Sequence, residues 1–257
     1  MATLREQFIE RLLREIFLKK GSGFVLKGGG AIRTLFGEQR LTKDVDLDFT
    51  HPKRTVDSLH NTLRRAIANA AKGLPLLDLT VSAHGKGELS PRWKVNFQDR
   101  QGNRFHVEIV ISRDTRRVPP GAVMQHRFAP LAAGGIAPFW VDIYDPATLV
   151  ATKLAALLGR EVPRDVYDLD LLLPRAKPSA PQIRWAIERA HLAGQDPRAV
   201  LIARLEALTW ERFLTDLRDS LPDHIAERIH AAEWAAMKVR VKDYAADLLA
   251  SAVSEER

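Results

Sequence analysis

Apolar residues recur at helical spacing over residues 4–19, where Leu4, Phe8, Ile9, Leu12, Leu13, Ile16 and Phe17 share one face between charged positions. Gly21 and Gly23 end that helix. Phe24–Leu26 reads as a short strand, Gly30–Phe36 as a helix and Val45–Phe49 as a second strand. On that second strand Val45 and Leu47 take one face, and Asp44, Asp46 and Asp48 take the other. Val56–Ala71 predicts a further helix. The period then changes to two. Residues 76–83, 93–98 and 104–111 predict strands, with a Gly turn signal in "QDRQGNR" between the last two. Residues 139–144 predict another strand, and from Asp145 the pattern is helical to the end, where "SEER" is expected to fray. The class is therefore mixed α/β (α+β). The proline-rich "PRAKPSAP" at 174–181 is the boundary candidate, dividing 1–173 from a helical 174–257.

Composition narrows the setting. The 257 residues, 46% of them hydrophobic, suffice for one large or two small domains. With no cysteine, disulfides and thiolate metal sites are excluded, and a cytoplasmic location is expected. The N-terminal stretch is charged throughout, unlike a secretory signal. No stretch approaches the roughly 18–20 apolar residues that cross a bilayer. A net charge of +7 permits a polyanionic partner, although the basic residues are scattered.

Candidate chemistry concentrates in residues 26–49, "LKGGGAIRTLFGEQRLTKDVDLDF". A Gly-rich loop before a helix exposes backbone N–H groups to a phosphate, and the helix N-terminus adds partial positive charge. Lys27, Gly28, Gly29, Gly30 and Arg33 are the nucleotide-binding candidates on that ground. A phosphate usually brings Mg²⁺, which takes carboxylate and phosphate oxygens. Asp44 and Asp46, two apart on one strand face, are its candidate ligands, and Glu108, flanked by Val107, Ile109 and Val110 deep in the apolar strand "RFHVEIVIS", where a carboxylate without a partner is costly, is the third. Each signal has a plainer reading. The Gly run alone suits an ordinary turn, the aspartates suit an edge strand facing water, and Glu108 suits solvent beside Lys94 or Arg104. Arg33, Arg40 and Lys43 are equally compatible with solvated surface.

A second block, "DPATLVATKLAALLGREVPRDVYDLDLL", begins with an N-cap, Asp145, and Pro146 at the first helical position. Lys153 stands among small residues, with room to reach a phosphate or to snorkel to the surface. Pro163 restarts a helix on which Asp165 and Asp168 share a face, and Arg164 can pair with Asp168 at i, i+4. Helix-dipole stabilisation alone would also explain the two aspartates. The eight histidines show no paired zinc spacing, Gly-x-Ser-x-Gly is absent, and the Gly run lacks the Gly-Lys-Ser/Thr ending of a P-loop. The five tryptophans, among them Trp185, Trp210 and Trp234, read as helical core, with base stacking the competing role.

Gly-Gly, a helix, Asp-x-Asp and a later strand carboxylate together resemble the nucleotidyltransferases of the DNA polymerase β superfamily. The two blocks in order are similar to the AbiEii/AbiGii toxin family, with its mycobacterial MenT relatives, over about residues 24–173. The resemblance implies a polymerase β-like mixed sheet flanked by helices, followed by a helical domain. It implies a nucleotidyltransferase toxin of a toxin–antitoxin or phage-defence pair, using Mg²⁺ (or Mn²⁺) to transfer NMP from an NTP to an acceptor, with tRNA favoured, and neutralised by a separate antitoxin. The corresponding positions are Gly28, Gly29, Asp44, Asp46, Lys153, Asp165 and Asp168. One departure stands out. Superfamily members often carry Ser after the first Gly and this family often carries Thr after the pair, whereas this chain has Gly29 and Gly30, leaving Thr34, Thr42 or backbone to supply such a contact. Two alternatives remain: a small-molecule, antibiotic-type nucleotidyltransferase and a non-catalytic binding protein on the same scaffold.

Overall fold

A computed structural model of the chain describes residues 3–19, 21–37, 43–51, 55–84, 89–129 and 137–254. It divides into two compact units, Met1–Thr115 with Met124–Tyr144, and Arg116–Val123 with Asp145–Arg257.

The first unit opens with α1 (Leu4–Phe17), started by a capping box in which Thr3 and Glu6 bond each other's backbone. Then follow β1 (Phe24–Leu26), α2 (Gly28–Phe36), β2 (Val45–Phe49), α3 (Val56–Ala71), β3 (Leu77–His84), β4 (Arg92–Gln98), β5 (Arg104–Ser112), β6 (Met124–Ala129) and β7 (Phe139–Tyr144). The seven strands form one sheet in the order β3-β4-β5-β2-β1-β7-β6. It is mixed: β2 runs parallel to β5 and β1 to β7, and the other neighbours are antiparallel.

Period-two alternation separates the faces. Val45, Leu47, Ile109, Ile111, Trp93, Val95 and Phe97 are buried. Phe8 of α1 meets Phe97 at 5.2 Å between ring centroids, so α1 covers this apolar face. Leu59, Leu63, Ala66, Ile67 and Ala70 form the buried stripe of α3, spaced for one helix face. Asp44, Asp46, Glu108, Lys94 and Arg92 fall on the opposite, polar face by the same alternation.

β6 is absent from the expectations above. Its sequence, "MQHRFA", is mostly exposed and has no strong alternation, so local pattern does not announce it. Its strand form comes from pairing with β7, where His126 faces Asp142 in register and meets it at 2.8 Å. β3, by contrast, shows its strand signal but lies at the sheet edge with Leu77, Leu79 and Val81 exposed. Trp93 and Trp140 also depart from the helical-core reading. Trp93 is buried on β4, giving its indole N–H to His60, and Trp140 is half-exposed on β7, stacked on His126.

The second unit is helical: α4 (Pro146–Gly159), α5 (Pro163–Leu172), α6 (Ala180–Arg189), α7 (Pro197–Ala207), α8 (Trp210–Asp216), α9 (Asp223–Ala226) and α10 (Ala231–Ser254), with a 3₁₀ turn at Arg218–Ser220. Proline stands in the first turn of α4, α5, α6 and α7, where its missing N–H costs nothing. The connector at 174–181 lies inside this unit, between α5 and α6, and not at the division between units. α4 packs on both α5 and α6, and the buried Gln182 amide on α6 donates to Thr148 on α4, so the chain does not part there. Of the remaining tryptophans, Trp234 is core, while Trp185 and Trp210 are half-buried. Among the described residues no helix is long and apolar enough to cross a membrane.

Candidate active site

β1 ends at Leu26, and the backbone N–H of Lys27 donates to the carbonyl of Asp46 at 3.0 Å. That bond ties the start of α2 to the neighbouring strand β2. The glycines are not a loop ahead of the helix, as expected from sequence. They are its first turn, with Lys27 as the N-cap residue. Lys27 makes no side-chain cap, the first turn holds no acid, and the bond from Ala31 N–H to the Lys27 carbonyl opens the helical ladder. The amides of Gly28, Gly29 and Gly30 therefore head the helix where an anion is favoured.

Gly28 is required twice. Its φ of +62° suits a residue without Cβ, and a Cβ there would lie 2.8 Å from Asp46 Oδ2. The Asp46 carboxylate thus rests against bare backbone at the helix start. Among the described residues it has no hydrogen-bonding or ion-pairing partner.

Asp44, just before β2, and Asp48, within it, have separate surroundings. Asp44 Oδ1 accepts the backbone N–H of Glu108 at 3.4 Å. Asp48 is buried, with Lys27 Nζ 2.6 Å from one oxygen and the Tyr144 hydroxyl 2.9 Å from the other. Burial first, then the Asp48 charge and hydrogen bond, push the Tyr144 phenol well above its ordinary value, so it stays a donor. Alternation in the sequence placed Asp48 beside Asp46. Nothing local signalled Tyr144, 96 residues away.

Glu108 lies next to Asp44, since Val45 pairs with Ile109 in register. It is not deep in apolar surroundings, as its neighbours in sequence suggested: Val107 and Ile109 face the core, and the Glu108 side chain is 32% exposed. Arg92 lies 3.3 Å and the His84 ring 3.4 Å from its carboxylate, with Lys94 its register partner on β4. Arg33 departs further from expectation. It is buried against α1, 3.2 Å from Glu10 and 3.9 Å from Glu6, and so points away from solvent. Thr34 gives its hydroxyl to the Gly30 carbonyl at 2.9 Å, which commits that candidate for the missing hydroxyl. Arg40 and Thr42 lie outside the described residues.

In the second unit the Asp145 side chain caps α4, accepting from Thr148 N–H at 3.1 Å. Lys153, on α4, is buried, with its ammonium 2.6 Å from Asp168 and 3.2 Å from Asp165 on α5. Arg160, which sequence reasoning did not single out, adds a contact to Asp165 at 2.8 Å. Both aspartates are fully buried, so neither is a surface charge favouring only a helix dipole. Burial alone would raise the Asp165 carboxyl. The Lys153 charge and the Arg160 hydrogen bonds outweigh it and hold that carboxyl below its ordinary value.

This fixes an acid limb of stability. A carboxyl held lower in the fold than in the unfolded chain stabilises the fold fully above its unfolded value. The contribution is lost as pH falls through the folded value. The denaturation midpoint is expected to fall below about pH 4, near the unfolded aspartate value. Asp165→Asn should flatten that limb, and an unchanged limb in the variant would refute the assignment.

Among the described residues no group of three or more His, Asp or Glu forms a ready metal cage. Mg²⁺ commonly takes one or two carboxylates and completes its shell with substrate phosphates and water. Asp44 and Asp46 beside an anion-receiving helix start fit that donor set.

A mixed sheet with a glycine-headed helix set against the Asp-x-Asp strand defines a nucleotidyltransferase scaffold. The chain matches the model of the nucleotidyl transferase AbiEii toxin family, a type IV toxin–antitoxin system, over residues 11–253, and it belongs to that family. It is a nucleotidyltransferase of the toxin class. Solved structures share the fold. JHP933 from Helicobacter pylori matches with a TM-score of 0.54 and 14% identity, over 98% of this chain and 97% of that one. A putative nucleotidyltransferase from H. pylori matches with 0.54 and 17%, over 95% and 96%. MenT4, a nucleotidyltransferase toxin from Mycobacterium tuberculosis H37Rv, matches with 0.51 and 16%, over 97% and 84%. No curated protein matches the chain.

Proposed function

We propose that this toxin transfers an NMP from an NTP to a hydroxyl of RNA, with tRNA the favoured acceptor and Mg²⁺ the required ion (Mn²⁺ an alternative). The observation that carries the reading is the bare Gly28 backbone set against the Asp46 carboxylate at the start of α2. The amides of Gly28, Gly29 and Gly30 and the Lys27 ammonium receive the triphosphate. Asp44 and Asp46 hold the metal, with Glu108 as the third carboxylate. When bound, the ion stabilises charge on the attacking and leaving oxygens. The acceptor oxygen attacks the α-phosphorus, the α–β phosphoanhydride bond breaks, pyrophosphate leaves, and Glu108 takes the hydroxyl proton. Family correspondence adds Lys153, with Asp165 and Asp168 orienting its ammonium. Arg33 has no part in this reading, because its guanidinium is spent on α1.

The +7 charge supports a polyanionic acceptor over a cationic small molecule. The cysteine-free composition suits the cytoplasm. A type IV toxin family implies a cognate antitoxin as partner. The test incubates the purified protein with each labelled NTP, Mg²⁺ and total RNA, then digests with nuclease or protease. Label is expected in nuclease-sensitive material, with transfer falling as salt rises because phosphate contacts release counterions. Label in protein or in a small molecule, with none in RNA, would overturn the acceptor.

A further inference from the structure

We infer that Asp48 and Tyr144 are positioning residues that hold the Lys27 ammonium for the nucleotide triphosphate. The inference rests on the reading of α2 as a phosphate cradle, and it separates Asp48 from the metal-binding aspartates beside it.

Asp48 is the odd member of its row. Asp44, Asp46 and Asp48 share a strand face, yet Asp48 alone is buried. A buried carboxylate needs both oxygens satisfied. One receives the Lys27 ammonium at 2.6 Å and the other the Tyr144 hydroxyl at 2.9 Å. With both oxygens so engaged, Asp48 is better suited to orienting a lysine than to ligating a cation. Tyr144 is 2% exposed, and burial together with the Asp48 charge keeps its phenol protonated. Facing a carboxylate that only accepts, its hydroxyl donates, and that bond fixes the second oxygen.

Lys27 is the open end of this chain of contacts. Its side chain is 24% exposed, whereas that of Asp48 is 5% exposed. An ammonium has three N–H donors, and among the described residues Asp48 is its one hydrogen-bonding partner. The residue is also anchored through its backbone, whose N–H bonds the Asp46 carbonyl, and it directly precedes Gly28. The ammonium and the glycine amides therefore come from one stretch of main chain, which that bond ties to the strand carrying the Asp46 carboxylate. A free lysine loses rotamer entropy when it is immobilised. Asp48 and Tyr144 impose that order before nucleotide arrives, which strengthens binding through preorganisation.

Calorimetry on the full chain with Mg²⁺ and the preferred NTP tests this with wild type, Tyr144→Phe, Lys27→Ala and the double variant. Tyr144→Phe should weaken NTP binding about fivefold, the scale of one lost hydrogen bond. Lys27→Ala should weaken it more, and the double variant should bind no more weakly than Lys27→Ala alone. Asp48→Asn should approach Lys27→Ala in affinity, with thermal denaturation reporting that each variant is folded. A merely structural hydroxyl would leave affinity at the wild-type value in Tyr144→Phe, or add its loss in full to that of Lys27→Ala, and either result overturns the inference. Wild-type affinity in Asp48→Asn also overturns it. If wild type itself binds no NTP, the cradle reading fails and this inference fails with it. Wild-type binding with unaltered variants removes the positioning role alone.

Discussion

Asp46→Ala is expected to abolish nucleotidyl transfer and to relieve growth inhibition on expression, with the fold retained. The carboxylate rests against Gly28 at the start of α2, where a Cβ would fall 2.8 Å from its Oδ2. An ion held there would supply several kcal/mol of charge stabilisation in the transition state. Losing about 4 kcal/mol of it slows transfer roughly a thousandfold. Stability moves the other way. The Asp46 carboxylate has like-charged neighbours in Asp44 and Asp48 and no hydrogen-bonding partner among the described residues. Removing it relieves repulsion in the metal-free protein, so the Mg²⁺-free denaturation midpoint should hold or rise. Single-turnover transfer and thermal denaturation measure the two effects. Full activity in the purified variant would end the metal-ligand assignment.

Lys153→Met should destabilise the second unit by about 3–5 kcal/mol, because it strips a cation from buried carboxylates. Asp165 and Asp168 are both fully buried, and Lys153 contacts each of them. Arg160 still reaches Asp165, but its side chain is 47% exposed and its contribution is screened by water. The denaturation midpoint should drop by roughly ten degrees on the scale expected for this chain length. Combining Lys153→Met with Asp165→Asn and Asp168→Asn should recover much of the loss, since neutral groups then replace buried carboxylates that have lost a cation. Transfer should stay absent in the rescued variant if the ammonium serves the nucleotide. A Lys153→Met midpoint matching wild type would show that the lysine does not hold these carboxylates.

Local order in this protein is written in local sequence. The helix over Val56–Ala71 and the strands at 24–26, 45–49 and 139–144 occur as their periodicity predicts, because apolar spacing selects one face whatever lies opposite. Asp145 and Pro146 mark the start of α4 for an equally local reason, an N-cap bond spanning three residues. The pairing of Gly-Gly with Asp-x-Asp, and the later Lys and Asp-x-x-Asp block, was enough to reach the family. Its weight came from residue types whose chemistry is specific in combination: bare backbone, clustered carboxylates and one lysine among small residues.

Charge partners were not legible, because they are set by chain crossings. Glu108 read as a buried acid, yet antiparallel pairing with β4 brings Arg92 to it and leaves it half-exposed. Arg33 read as a phosphate ligand, yet the packing of α2 on α1 turns it to Glu10. Asp48 read only as a further aspartate on the face of Asp44 and Asp46 until β7, arriving beside β1, supplied Tyr144. The same holds for β6, which has too little apolar pattern to be a strand without β7, and for the division at Tyr144, which follows packing and not proline content. Sequence by itself determined the other strands, the first helices and the kinds of residue available for catalysis, since these depend on neighbours a few residues apart. Tertiary structure alone decided which carboxylate meets a cation, which stays open and which is locked. Desolvation and Coulomb energy depend on distance through space, and those distances exist only once the sheet and helices have packed.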